Sequence, residues 1–440
     1  MTPNAADTAA ARALLDKAIQ LDESSQREEA IGIYDQIIAR FVSSAAPGLR
    51  EVVALALFNK GRALFGLDRH EETVAAFGQF IDYVEPGGEG TEANRLCRAM
   101  YLKGFALYQL DRHQEGIGVL DRLVDLFGGA TEVSCQRLVA AALNLKGHML
   151  AWASGFCDSC AVYDQVVQRF GMSRDPGLQE HAATALLRVA LNLQGGFLCE
   201  FVVPPEAVYN KGFDTELRPE LLERMVRART GKNVPTEVDC QKAVLSAFDE
   251  VGERFGDSVH PGVRKVVAAA MVHKGGYLGM LERHGEAIAA YDSVIQCSLN
   301  EMEPALYEPV ADAMLKKAVL LHKLQRNGEA IEVCDQLVGR FGTEAASRLR
   351  DKVKEALACK EECVEVLSQL VKEFQLKWRI GIRTATFIVH KITKRFASKI
   401  QVCCGKHTGD GKELFDWLAL GWDPEHEKIV VVDGDLGAEH

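Results

Sequence analysis

The sequence predicts a mainly α-helical protein in which a solenoid of antiparallel helix pairs is followed by a small α/β domain. Gly61, Gly104 and Gly147 lie 43 residues apart, and the residues around each glycine repeat with it. Apolar residues on both sides of each glycine recur at spacings of three and four, as in amphipathic helices. Near the C-terminus this period gives way to strand-like alternation. Repeats of this length form stacked units that are stable only beside their neighbours.

Each repeat is predicted to contain two helices. The first carries the small residue that keeps the 43-residue phase, and the second carries a large apolar residue 16 positions later, as Gly61 and Phe77 illustrate. Phe41 and Pro47, six residues apart, mark the connection to the next repeat. Proline in the first turn of a helix loses no hydrogen bond, so we expect the next first helix to begin there. The same spacing recurs at Phe170 and Pro176 and at Phe255 and Pro261.

The register of Gly61, Thr73 and Phe77 resembles the tetratricopeptide repeat (TPR). In that family, small residues at positions 8 and 20 and an aromatic residue at position 24 let the two helices approach closely. The units here are longer than the family's usual length of about 34 residues. The resemblance implies a TPR-like domain over residues 1–343. Helix breakers between residues 199 and 236 indicate a degenerate unit, which is a loop, a hinge or a functional insertion.

The composition excludes several classes of protein. No apolar run approaches the ~20 residues that span a bilayer, and the N-terminus lacks the pattern of a signal peptide, so we expect a cytoplasmic protein without membrane contact. With a net charge of −11, the chain is not expected to bind nucleic acid. Cys157 and Cys160 lack a second pair of ligands, so no metal site is predicted. The sequence contains no catalytic constellation, and we predict a protein that is not an enzyme and uses no cofactor.

The TPR resemblance also predicts where a partner binds. In that family, positions 2, 5, 9 and 12 of the first helix line a groove, counted with the small residue as position 8. These slots lack the lysine and asparagine clamp that the family uses for C-terminal carboxylates. They do hold aromatic residues and arginines, which are common anchors of binding surfaces. The alternative is that the extended first helices cover this face themselves. We predict that a protein or peptide partner binds Leu55, Phe58, Arg62, Phe65, Arg98, Tyr101, Phe105, Tyr108, Asn144 and His148.

A lysine precedes most of the small residues, and an aspartate follows most of the second-helix aromatic positions, although Gly78 interrupts the aspartate series. An unpaired buried ammonium group is costly. We therefore expect each lysine to pair with an aspartate of its own or the preceding repeat and so to keep the repeats in register. The alternative is that the lysine stems extend to water. The lysines for which we predict a partner are Lys60, Lys146, Lys274 and Lys317.

The C-terminal residues follow a different pattern. We predict a linking or capping helix over residues 344–370 and a separate domain over residues 371–440. Periodicity predicts strands at 374–377, 398–402 and 428–432, with helices that begin near Arg383 and Lys412. Residues 372–412 contain ten Lys or Arg against two acids, whereas residues 413–440 contain eight acids against one Lys. The basic stretch is an anion site or a solvated face.

The sequence GIRTAT at residues 381–386 and the glycines and lysines of residues 405–421 resemble two motifs of the phosphocarrier protein HPr family. The resemblance implies a small open-faced α/β sandwich. In that family, a histidine of the first motif accepts a phosphoryl group. Here Arg383 occupies the position of that histidine, and Glu413 occupies the position of a regulatory serine. Arginine stays protonated and cannot act as a nucleophile. The resemblance therefore implies an HPr-like site without its chemistry and without the last helix of the family.

Two functions from different classes follow. The first is an interaction scaffold whose groove binds a peptide or protein partner and whose HPr-like module is not catalytic. The second is a phosphorelay or regulatory protein of the phosphotransferase system, in which a displaced histidine, His390 or His407, accepts phosphate. We favour the first because the histidine slot holds Arg383, which cannot act as a nucleophile. The fold alone does not identify the partner.

Overall fold

A computed structural model shows the protein as a series of paired α-helices. It describes residues 3–84, 90–153, 156–197, 236–297, 303–343, 346–378, 420–423 and 428–431. The chain divides into two compact units, Met1–Ala270 and Met271–His440. In the numbering used below, odd-numbered helices are the first helices of the repeats and even-numbered helices are the second.

The first unit consists of stacked helix pairs, as the 43-residue period predicts. Each helix from α1 to α9 packs against the next one in the chain, and each first helix up to α7 also packs against the first helix of the following repeat. This arrangement buries the apolar stripe of one helix pair against its neighbours. The helices are α1 (Pro3–Glu23), α2 (Arg27–Phe41), α3 (Pro47–Phe65), α4 (His70–Tyr83), α5 (Thr91–Gln109), α6 (His113–Phe127), α7 (Val133–Ala153), α8 (Phe156–Phe170), α9 (Pro176–Phe197), α10 (Glu237–Phe255) and the start of α11 (Pro261–Met280).

The second unit begins within α11 and continues the same alternation. It contains α12 (His284–Cys297), a 3-10 turn at Pro304–Leu306, α13 (Tyr307–Lys323), α14 (Asn327–Phe341) and α15 (Ser347–Trp378). Helix α13 packs against both α14 and α15. A short antiparallel pair follows, in which β1 (Leu420–Asp423) is joined to β2 (Lys428–Val431), with Leu420 opposite Val431.

The predicted helix starts are confirmed where proline marks them. Helices α3, α9 and α11 begin at Pro47, Pro176 and Pro261. The small residues then bring the two helices of a repeat into contact. A β-carbon built on Gly61 would lie 2.6 Å from the ring of Phe77, so the ring occupies the place of a side chain. The same contact joins Gly104 to Leu120, Gly147 to Tyr163 and Gly275 to Tyr291.

The predicted lysine–aspartate pairs are confirmed at three positions. Lys60 Nζ lies 2.5 Å from Asp35 Oδ1 of the preceding repeat. Lys317 and Asp292 are 2.6 Å apart, and Lys146 forms the same pair with Asp121. The pairing of Lys274 stays a prediction. About a fifth of each of the three lysine side chains is exposed, so these pairs lie at the edge of the core and contribute about 0.2–1 kcal/mol each.

The turn within the repeat has its own recurring geometry, which was not predicted from the sequence. Asp68 and Asp111 both have a φ of 56°, the left-handed conformation that aspartate tolerates better than most residues. The arginine that follows is the N-cap residue of the second helix. Arg69 contacts Glu72 in the first turn of α4 at 2.6 Å and Glu28 of the preceding second helix at 2.8 Å. The 43-residue spacing of these turns was the available signal.

The C-terminal prediction is wrong at its first strand. Residues 374–377 belong to α15, and the predicted boundary between residues 370 and 371 falls within the same helix. Lys360, 43 residues after Lys317, lies 2.5 Å from Asp335, so α15 continues the repeat as a further first helix. Four alternating residues are a weak strand signal, and a helix that is already formed extends at low cost. The local alternation therefore does not form a strand.

The remaining C-terminal predictions have different outcomes. The strand predicted at residues 428–432 corresponds to β2, whereas its partner β1 was not predicted. Arg383, His390, His407 and Glu413 lie outside the described residues, as do the predicted strand at 398–402 and residues 199–235 of the degenerate unit. The HPr-like domain and the phosphorelay alternative therefore stay predictions.

Candidate protein-binding face

Four side chains form a continuous row across α3, α5 and α7. The ring of Phe65 lies 5.7 Å from that of Phe105, which lies 6.1 Å from Tyr108, and Tyr108 lies 5.3 Å from the imidazole of His148. Most of these contacts are edge-to-face, an arrangement that aromatic rings prefer. All four side chains are half-buried. We call this set the aromatic row.

The repeat geometry explains why the row forms. Its members occupy positions 9 and 12 of their helices, which are one turn apart and lie on one face. Because α3 packs against α5 and α5 against α7, the same face recurs in neighbouring repeats. Phe65 of one repeat can then meet Phe105 of the next, and Tyr108 can meet His148. All four residues are predicted from the sequence as site residues, whereas their contacts with one another were not predicted.

Trp152 extends this surface and was not predicted. It lies one helical turn after His148 on α7, and 61% of the residue is exposed. Such exposure is unusual for the largest apolar side chain, and tryptophan is enriched among residues that dominate binding energy. The i, i+4 spacing from position 9 would have identified it, since α7 continues past position 12.

Phe58 was predicted to line the groove, and this prediction is wrong. Only 6% of the residue is exposed, and its ring packs against Phe77 at 6.1 Å and Phe80 at 5.5 Å. The second helix α4 thus covers position 5 of α3. A phenylalanine gains more from full burial between two helices than from a half-exposed groove position.

The other predicted residues are partly accessible. Leu55 is half-buried, as is Tyr101, and burial raises the pKa of the Tyr101 hydroxyl. Asn144 has a structural role, since its side-chain amide donates to the backbone carbonyl of His181 on α9 at 3.0 Å. This hydrogen bond joins the first helices of two repeats and holds α7 in place beside the row.

Arginines border the row. Arg62 and Arg98, both predicted, are exposed on α3 and α5. Arg188 on α9 was missed because it occupies position 6, outside the four family slots. It is exposed, and it lies close enough to affect His148. Burial lowers the pKa of His148 below its ordinary value, and the charges of Arg188 and His113 lower it further.

Other kinds of site have no support in the described residues. None of the His, Cys, Asp and Glu side chains there form a group of three or more that could hold a metal ion. The described helices include none that is long and apolar enough to cross a membrane. The face that carries the row is the best-defined candidate site among the described residues, which form mainly α-helical repeats.

Three solved structures are similar to the chain at low sequence identity. An engineered protein is 16% identical, with a TM-score of 0.39 and coverage of 82% of this chain and 86% of that one. The apo form of RapI is 10% identical, with a TM-score of 0.45 and coverage of 89% and 99%. A Rap protein complexed with competence and sporulation factor has the same identity and coverage, with a TM-score of 0.35. No protein-family model and no curated protein matches the sequence.

Proposed function

We propose that the chain is a non-catalytic interaction scaffold that binds a peptide segment of a partner protein on the face of α3, α5 and α7. The observation that carries the proposal is the contiguous aromatic row with Trp152 beside it. Soluble proteins usually scatter exposed apolar residues singly, whereas contiguous apolar surface marks interaction sites.

The dimensions of the row suit an extended peptide. Packed helices lie about 8–10 Å apart, so a row across three first helices spans about 20 Å. An extended chain advances about 3.3 Å per residue, and about six residues would cover this distance. Alternate side chains of such a segment would face the row, where rings that already contact one another lose little entropy on binding.

The surrounding contacts favour a pre-formed surface. Contacts between a glycine and a large apolar side chain hold the three helix pairs together, namely Gly61 with Phe77, Gly104 with Leu120 and Gly147 with Tyr163. Asn144 joins α7 to α9. A site on rigid helices needs little reorganisation to bind, which improves affinity without new contacts. We expect the row to keep its geometry whether or not the partner is bound.

The proposal is tested by selecting peptides from a random 12-residue display library on the immobilised full chain. Selected peptides are then measured by fluorescence anisotropy against the double variant Phe105→Ala, Tyr108→Ala. We expect binding to weaken at least about tenfold, since aromatic anchors typically contribute 1–2 kcal/mol or more each. Leu126→Ala, which removes an exposed apolar side chain from α6, is the matched control and should leave binding unchanged. Equal binding by the wild type and the double variant would contradict the proposal.

A further inference from the structure

The first helices α3, α5, α7 and α9 carry a charge opposite to that of the second helices α2, α4, α6 and α8. The sequences of α3, α5, α7 and α9 contain nine Lys or Arg and three Glu. Those of α2, α4, α6 and α8 contain four Arg and eleven Asp or Glu. Because the whole chain has a net charge of −11, the basic first helices are a local departure from its composition. The row therefore lies on the basic set of helices.

Part of this positive charge is neutralised within the chain. Lys60 and Lys146 pair with aspartates of the preceding second helices, and Arg137 contacts Asp175 at 2.6 Å. Arg62, Arg98 and Arg188 differ from these residues. All three are exposed, and within the described residues none has a carboxylate partner.

These three arginines are placed around the row. Arg62 lies one helical turn before Phe65 on α3, and Arg98 lies two turns before Phe105 on α5, so each shares a helix face with a member of the row. At the other end of the row, burial and the positive charge of Arg188 on α9 lower the pKa of His148. The apolar row is thus bordered by positive charge on three of the first helices.

We infer that the partner segment is acidic, with carboxylates that pair with Arg62, Arg98 and Arg188 while its apolar side chains lie on the aromatic row. The inference rests on the proposed function and adds the charge of the ligand, a segment of another protein. Guanidinium groups bind carboxylates through two parallel hydrogen bonds, and complementary charge selects partners and speeds encounter. Several acids of the second helices already pair with other lysines and arginines, as in Asp35 with Lys60 and Glu71 with Arg112.

The test uses the peptides selected on the full chain at about 0.15 M salt. We expect them to be rich in Asp and Glu as well as apolar residues. For the best binder, replacing every Asp and Glu by Asn and Gln should weaken binding about tenfold, the effect of losing three partly exposed ion pairs. The triple variant Arg62→Gln, Arg98→Gln, Arg188→Gln should bind the acidic peptide about as weakly as the wild type binds the neutral one. Arg122→Gln, which removes an exposed arginine from α6, is the control.

The experiment distinguishes failure of the acidic-partner inference from failure of the proposed binding function. Peptides that require Phe105 and Tyr108 but are neutral or basic would overturn this inference and leave the proposed function standing. Three further results would overturn the inference by assigning the face to another ligand. Tighter binding of a 12-nucleotide oligouridylate would indicate a nucleic acid, and stronger competition by a synthetic peptide of residues 413–440 would indicate the chain's own C-terminal segment. Self-association that the double variant Phe105→Ala, Tyr108→Ala abolishes would indicate a second copy of the chain. Circular dichroism of each variant confirms that it is folded. If the triple Gln variant is unfolded, the single variants take its place, each with an expected loss of two- to threefold, about the effect of one exposed pair.

Discussion

Helices α5 and α13 occupy equivalent places in their repeats but use the same slots in opposite ways. Position 2 of α5 is Arg98, which is exposed, whereas position 2 of α13 is Asp312, which is largely buried. Asp312 contacts Lys352 at 2.6 Å and Lys316 at 3.1 Å. Burial opposes ionisation of Asp312, but hydrogen bonds and charge from the two lysines outweigh it, so its pKa is lowered.

Position 12 differs in the same way. Positions 9 and 12 of α5 are Phe105 and Tyr108, which contact the rings of neighbouring repeats. Position 12 of α13 is His322, whose Nδ1 lies 2.7 Å from Asn327 Oδ1, a partner within its own repeat. Positions 2 and 12 of α13 are therefore satisfied by partners within the chain, and position 9 holds the exposed Val319. The equivalent positions 2, 9 and 12 of α5 keep a charge and apolar rings accessible. A shared frame determines where a slot lies, and the side chains in it determine whether it can bind a partner.

The comparison of α5 with α13 assumes that the two helices of each repeat pack in the same way. Gly61→Ala tests the contact between glycine and a large apolar side chain on which that packing depends. The added methyl group would lie 2.6–2.9 Å from three atoms of the Phe77 ring, so the ring or the helix must move. We expect the free energy of unfolding in urea to fall by about 2 kcal/mol despite the higher helix propensity of alanine.

Gly118→Ala on α6 is the matched control for that substitution. Nothing lies within 4 Å of the position that its methyl group would take. Alanine should therefore stabilise the protein by about 0.5–1 kcal/mol through helix propensity alone. If Gly61→Ala were as stable as Gly118→Ala, the glycine–aromatic contact would not hold the helix pair together.

Substitutions at position 2 test whether α5 and α13 use this slot differently. Asp312→Ala leaves Lys352 and Lys316 without their carboxylate, and we expect a loss of about 1–2 kcal/mol because hydrogen bonds to charged groups are among the stronger ones. Arg98→Ala removes an exposed charge at the equivalent slot and should change stability by no more than about 0.5 kcal/mol. Urea unfolding of both variants measures the difference. Equal effects would mean that the two slots are not used differently.

In the repeat where Gly78 takes the place of the aspartate, a substitution is expected to increase stability. A β-carbon at Gly78 would lie 3.4 Å from Lys103 Nζ, the lysine equivalent to Lys60. Gly78→Asp should therefore create the pair that other repeats contain and stabilise the protein by about 0.5–1 kcal/mol. Gly78→Asn, which has the same shape without the charge, should give a smaller gain. Similar gains for the two variants would assign the effect to helix propensity alone.

The smallest expected effect concerns the pH dependence of the open face. The pKa of His148 is lowered from 6.5 in the folded chain, so the unfolded chain takes up a proton more readily. This contribution to stability is complete above about pH 6.5 and is lost as the pH falls toward the folded pKa. We expect the free energy of unfolding to decrease between about pH 7.5 and pH 5.5, and to decrease less in His148→Gln.

Other titratable groups, one histidine and several carboxyl groups, also have shifted pKa values. Burial also lowers the pKa of His181, which both proteins retain as a common background. The carboxyl groups with lowered pKa values, such as Glu72 and Asp175, lose their contribution below about pH 4.5, outside this window. A histidine pKa measured by NMR at or above 6.5 for His148 would contradict the interpretation.

Local and periodic features were predictable because their signals lie in the sequence. Proline starts helices at Pro47 and Pro176 through its fixed φ, and the spacing of glycine and aromatic residues follows from helix contact within one repeat. The lysine–aspartate pairs followed from the same period. The strand predicted at residues 374–377 failed because a four-residue alternation cannot be distinguished from the end of a long amphipathic helix.

The sequence by itself determined which residues occupy equivalent slots, since a 43-residue period places them on one face of each first helix. Only the tertiary structure decided which slots are open. Phe58 is covered by α4, Asp312 is neutralised by a lysine 40 residues further along the chain, and Arg188 lies close to His148 from outside the predicted slots. Accessibility and pairing depend on distances between different repeats, and a periodic pattern does not contain those distances.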